Sequence, residues 1–98
     1  MSAADRDVAR EWVSRTIEGL REQPYESLLE REGDADHIYL PVQGGEDLLG
    51  ETHVIFDDKR AGTLRVIVDV WNLRQKLIWR PIAKDQFIRA PDGSFVDE

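Results

Sequence analysis

Few residues in this chain have side chains suited to chemistry. Of 98 residues two are histidines, His37 and His53, and none is cysteine. In the three segments that alternate as strands, both histidines fall on a mixed side, opposite an apolar one. The carboxylates Glu51, Asp57 and Asp69 fall on that same mixed side, because side chains along a strand alternate with period two. Imidazoles and carboxylates on one face are the materials of a divalent metal site or of an acid–base pair. Arg65 projects to the same side, where a guanidinium would pair with the acids. Solvated cross-strand polar neighbours are the simpler reading, and it is the one adopted. No catalytic residue, metal ligand or cofactor is therefore assigned.

Other chemistries lack their motifs. The chain has no nucleophile elbow, phosphate-binding glycine loop or helical zinc motif. Gly44-Gly45 leads into Glu46-Asp47, whose charge would repel phosphate, so it reads as a hairpin turn. Arg74, Lys76, Arg80, Lys84 and Arg89 are interleaved with Trp71 and Trp79, a pattern known from single-strand binders. The alternative is that these cations meet the acidic helices. The net charge is −7, with −10 in residues 1–58 and +3 in residues 59–98. Counterion release needs clustered cations, so no nucleic acid is expected as a partner. The acid serves solubility, or the two halves attract across the fold or between subunits. The start of the chain lacks the basic and apolar pattern of a signal peptide, and no stretch approaches the ~20 apolar residues of a membrane helix. With no cysteine, the expectation is a soluble cytoplasmic protein with no membrane partner.

The elements that must position these residues centre on Thr63–Trp71. Leu64, Val66, Val68 and Val70 lie on one side of a strand, and Thr63, Arg65, Ile67, Asp69 and Trp71 on the other. Burial of each apolar member contributes about 1.5–3 kcal/mol, which makes this strand the floor of the core. Ahead of it, Ser2 and Asp5 suit a helix N-terminus. Val8, Ala9, Trp12, Val13, Thr16, Ile17 and Leu20 then form one apolar stripe. Gly19 marks close packing against the sheet or a tolerated weakness. Pro24 stops the helix near Glu22 and opens a short helical piece, Pro24–Arg31. Gly33–Asp36 connects to a strand over His37–Gln43, in which Pro41 marks an edge strand or the end of one. Leu48–Asp57 is the second strand, and Asp57–Gly62 closes a hairpin onto the central one. Asn72–Gln75 turns the chain into a fourth strand, Lys76–Ile82. Phe87-Ile88 extends the sheet or packs beneath the helix. Ala90-Pro91-Asp92-Gly93 fits a type I turn, after which Phe95-Val96 folds back.

This order predicts a single α+β domain over residues 1–98. The long helix and the short helix pack on one face of a four-stranded antiparallel meander. If they cover Leu64, Val66, Val68 and Val70, then Tyr39, Ile55, Ile67 and Trp71 remain on the far side. An apolar and aromatic patch ringed by charge has the composition of an association surface. The alternative is that the C-terminal segment covers it through Phe87, Ile88 or Phe95.

Val54-Ile55-Phe56-Asp57-Asp58-Lys59, Gly62 with Leu64-Arg65-Val66, and Phe87-Ile88 with Pro91-Asp92-Gly93-Ser94-Phe95-Val96 together resemble a group of small bacterial proteins with no assigned activity. That resemblance covers the last half of the chain. It implies a leading helix, a strand–turn–strand unit, a terminal Pro-Asp-Gly turn and a bacterial source, and it carries no functional residue.

Three functional expectations follow. The first is a non-enzymatic module that self-associates or binds a protein through Tyr39, Ile55, Ile67 and Trp71. The second is a small metal-binding or acid–base enzyme domain using His37, His53 and Glu51. The third is an antitoxin- or immunity-like acidic protein that binds a basic partner.

Overall fold

The computed structural model describes residues 3–41, 47–74 and 80–98. Helix α1 spans Ala3–Arg21 and helix α2 Tyr25–Glu30. Among the described residues five strands follow: β1 (Ala35–Tyr39), β2 (Leu48–Asp58), β3 (Thr63–Asn72), β4 (Ala83–Arg89) and β5 (Phe95–Val96). They form one antiparallel sheet in chain order, β1-β2-β3-β4-β5. This is the expected α+β meander with one more strand. Meander order follows from short connections, which let each strand pair with its predecessor.

The apolar stripe of α1 lies where its spacing puts it. Ala9, Val13, Ile17 and Leu20 are buried and Val8 and Trp12 pack beside them. Beneath the helix, Leu64, Val66, Val68 and Val70 of β3 are each 0% exposed. Val54 of β2 and Phe87 of β4 complete that floor, with Leu28 of α2 joining the same cluster. Pro24 stands as the N-cap of α2, and the Tyr25 hydroxyl donates to the Gly62 carbonyl in the β2–β3 turn. Gly62 needs its φ of +75° there, a conformation open to glycine and strained for other residues. Glycine also explains the fit of Trp12. A Cβ on Gly50 would sit 2.7 Å from the Trp12 ring, so the indole lies directly on the β2 backbone. Gly19, by contrast, is exposed and faces open space, so the tolerated-weakness reading of that residue is the one the packing supports.

Two strand boundaries depart from the sequence expectation. β1 begins at Ala35, inside the expected connector. Backbone pairing carries on through the Leu40 N–H, which donates to Leu48 O at 3.0 Å; Pro41 follows and has no N–H to extend it. Among the described residues the fourth strand is Ala83–Arg89; of the expected Lys76–Ile82, residues 80–82 are not strand and the rest lie outside the described residues. Its first four residues, Ala83-Lys84-Asp85-Gln86, carry little strand propensity, but register outweighs propensity here. Phe87 pairs opposite Val66 and Ile88 opposite Arg65, which puts the aromatic ring under α1. Ser2, the expected cap of α1, and residues 42–46 and 75–79, including Lys76 and Trp79, lie outside the described residues.

The C-terminal segment does not fold across the far face of the sheet. Gly93 N–H donates to Ala90 O at 2.9 Å, closing the expected turn, and Phe95–Val96 pair with Arg89 and Ile88 as an edge strand. Phe95 meets Phe87 edge to face at 5.6 Å, on the helix side. The Arg21 guanidinium lies 4.1 Å over Phe95 and pairs with Glu98, so the end of α1 clamps the last strand. That hydrogen bond holds the Glu98 carboxyl below its ordinary range.

Candidate functional site

The register lays out the far face of the sheet in four rows, because directly opposed residues of an antiparallel pair share a side. The first row is Tyr39–Leu49–Trp71 and the second His37–Glu51–Asp69–Lys84. The third is Ala35–His53–Ile67–Gln86, and the fourth is Ile55–Arg65–Ile88–Val96. Tyr39, Ile55, Ile67 and Trp71 are therefore on one face. They are not contiguous, since the polar second row runs between Tyr39 and Trp71 on one side and Ile55 and Ile67 on the other. Tyr39 is 71% exposed and Ile55 43% exposed, while Ile67 and Trp71 are half-buried among their neighbours.

The polar row gathers the chemistry-bearing side chains. Glu51 stands between the two histidines: His37 Nε2 is 3.3 Å from Oε1 and His53 Nε2 is 2.9 Å from Oε2. The His53–Glu51 contact is a hydrogen bond, and His37 stands at ion-pair distance from the same carboxylate. Asp69 comes next on β3, and one ligand atom each from Glu51, His53 and Asp69 lies within 4.8 Å of the others. Trp71 Nε1–H donates to Asp69 Oδ1 at 3.0 Å. Asp69 is buried, and burial raises its carboxyl above the ordinary range, opposed by the Trp71 hydrogen bond. Nearby Glu51 pushes the same way as burial, and His53 and Lys84 push against it.

Asp57 is not part of this group. Arg65 holds it, with Nη2 at 2.5 Å and Nε at 3.1 Å from Oδ1. The guanidinium expected to neutralise the acids of this face thus takes Asp57 and leaves Glu51 and Asp69 facing imidazoles. The basic stretch is likewise divided. Arg74 pairs with Asp47, and Arg89 donates to the Gly93 and Arg21 carbonyls while lying over Phe95. Attraction between the halves is visible in Asp47–Arg74 and Asp57–Arg65, and with reversed sign in Arg21–Glu98.

No family model, curated protein or solved structure matches this chain. Its chemistry is therefore read from its own geometry. The group offers two imidazoles and two carboxylates on an open sheet surface, an arrangement that suits holding a cation or a partner's polar groups. Sequence reasoning singled out His37, His53 and Glu51 and put Asp69 on their face. It missed that Asp69 is buried and bonded to Trp71. The available signal was the repeated i, i+2 spacing, Glu51-x-His53 on β2 and Asp69-x-Trp71 on β3.

Proposed function

We propose that this protein is a non-enzymatic association module whose open sheet face docks against a second copy of the chain. The observation that carries the reading is the path of the C-terminal segment. It joins the sheet edge as β5, and so leaves Tyr39 and Ile55 exposed. Leu49, Ile67, Trp71, Ile88 and Val96 add apolar surface in the same rows.

Charge on the open face is close to balanced. Two copies of a chain at −7 repel one another. The open face is the place where repulsion is weak, because Arg65 and Lys84 stand there against Glu51, Asp57 and Asp69 beside two imidazoles. Four rows, three or four strands wide, give a footprint of about 20 by 25 Å from ordinary strand spacings. That is at the small end for a specific interface, so the dimer is reversible and forms by mass action. A cytoplasmic setting belongs to this reading, supported by the cysteine-free composition, which suits a reducing compartment. Among the described residues no helix is long and apolar enough to cross a membrane.

Sedimentation equilibrium over a concentration series tests the proposal. The wild type is expected to shift from monomer towards dimer with concentration. Ile55→Asp and Tyr39→Asp, both at exposed positions, are expected to stay monomeric with unchanged circular dichroism. A wild type that remains monomeric throughout, or variants that dimerise equally well, would overturn it.

A further inference from the structure

We infer that His37, Glu51, His53 and Asp69 form a binding site for a first-row divalent transition cation such as Zn2+, built across β1, β2 and β3. The inference does not depend on self-association. Its basis is that the sheet register, rather than chance surface crowding, sets these four side chains together. His37, Glu51 and Asp69 are direct cross-strand partners in one row, and His53 is two residues from Glu51 on the same face. Both imidazoles present Nε2 to the two oxygens of one carboxylate, at 3.3 and 2.9 Å. Asp69 adds a ligand atom from the third strand, and those of Glu51, His53 and Asp69 lie within 4.8 Å of one another, with His37 beside them against Glu51.

These separations suit a metal. Ligands about 2.0–2.2 Å from zinc in a tetrahedron are roughly 3.3–3.5 Å apart. The two His–Glu distances lie near that value, but the histidines face opposite oxygens of Glu51, so His37 must swing inward to join Glu51, His53 and Asp69. The Asp69–Trp71 hydrogen bond uses Oδ1 and fixes the carboxylate with Oδ2 as the second donor oxygen. An indole N–H on a ligating carboxylate is the kind of supporting contact that orients metal ligands. Ligation through Nε2 uses the imidazole tautomer that carries its proton on Nδ1, which leaves the Nε2 lone pair for the cation. Mixed nitrogen and oxygen donors select zinc-like cations over Mg2+ and Ca2+, which take oxygen.

Lys84 is the opposing feature. It pairs in register with Asp69, so its ammonium competes with a cation on that side. Exposure of Lys84 lets its long side chain swing away when the site fills.

The experiment is calorimetric titration of tag-free protein with Zn2+, run on the wild type and on Ile55→Asp. The second variant removes the association surface while leaving the four ligands, so failure of one reading does not imply failure of the other. One Zn2+ per chain is expected in both. His37→Gln, on the exposed edge strand, and His53→Gln are expected to weaken binding at least about tenfold, in line with the cost of disturbing a metal site. Lys84→Gln is expected to tighten it, and Mg2+ is expected to give no saturable signal. In imidazole NMR spectra both histidines should shift together on adding Zn2+. Absence of saturable Zn2+ binding, or equal binding by the wild type and the two histidine variants, would overturn the site.

Discussion

The same substitution, glycine to alanine, is expected to act with opposite sign at two positions, and the structure sets both magnitudes. Gly19 lies on the exposed face of α1, and a Cβ there would meet nothing within 4 Å. Gly19→Ala therefore recovers helix propensity with no packing cost, about 0.8–1 kcal/mol, part of it from restricting the unfolded chain. For a domain of this size that raises Tm by roughly 4–8 °C. Gly50 is buried in β2, where a Cβ would lie 2.7 Å from Trp12 Cη2 and 2.8 Å from Cζ3. Carbon atoms prefer about 3.5–4.0 Å, so the ring must retreat by about 1 Å, and overpacking of this kind costs about 1–3 kcal/mol. Urea unfolding followed by far-ultraviolet circular dichroism separates the two, read as changes in midpoint at constant slope. In a Trp12→Leu background the cost of Gly50→Ala should shrink, giving a coupling of at least about 0.5 kcal/mol between the pair. If Gly19→Ala is no more stable than the wild type, the exposed face of α1 is misassigned. If Gly50→Ala is neutral with Trp12 intact, the indole does not lie on β2.

Leu64 is fully buried beneath α1, so Leu64→Ala is expected to cost about 2–5 kcal/mol. Tyr39→Ala on the open face should stay within about 0.5 kcal/mol of the wild type, with both read from urea midpoints below the association range. Glu98 has a lowered carboxyl because Arg21 donates to it. Its contribution is present above the ordinary carboxylate range and fades as pH falls through the lowered folded value. Glu98→Gln should therefore be less stable than the wild type at neutral pH, with the gap closing in strong acid; a gap independent of pH would show that the carboxylate charge plays no part.

Much of the fold is legible in single residues. Period-two alternation in Leu64, Val66, Val68 and Val70 put these side chains under a helix, and all four are fully buried there. Pro24 and Pro41 marked ends that backbone chemistry enforces, since a missing N–H cannot be supplied by context. The strand over Ala83–Arg89 was not legible beyond Phe87-Ile88, because Ala83-Lys84-Asp85-Gln86 carries little strand propensity. Strand identity there came from pairing with β3, a property of two segments at once.

Composition, alternation and spacing in this chain determine which faces are apolar, and so put His37, Glu51, His53 and Asp69 on the sheet side away from the helices. They cannot determine which of those residues touch. That is decided by strand register, which couples residues such as His37, Glu51 and Asp69 through turn lengths and knob positions spread along the chain. The irregularity after Phe56 brings Asp57 to Arg65, and register placed Glu51 between two imidazoles. It also made the last residues an edge strand, where Phe95 packs against Phe87 and Arg21.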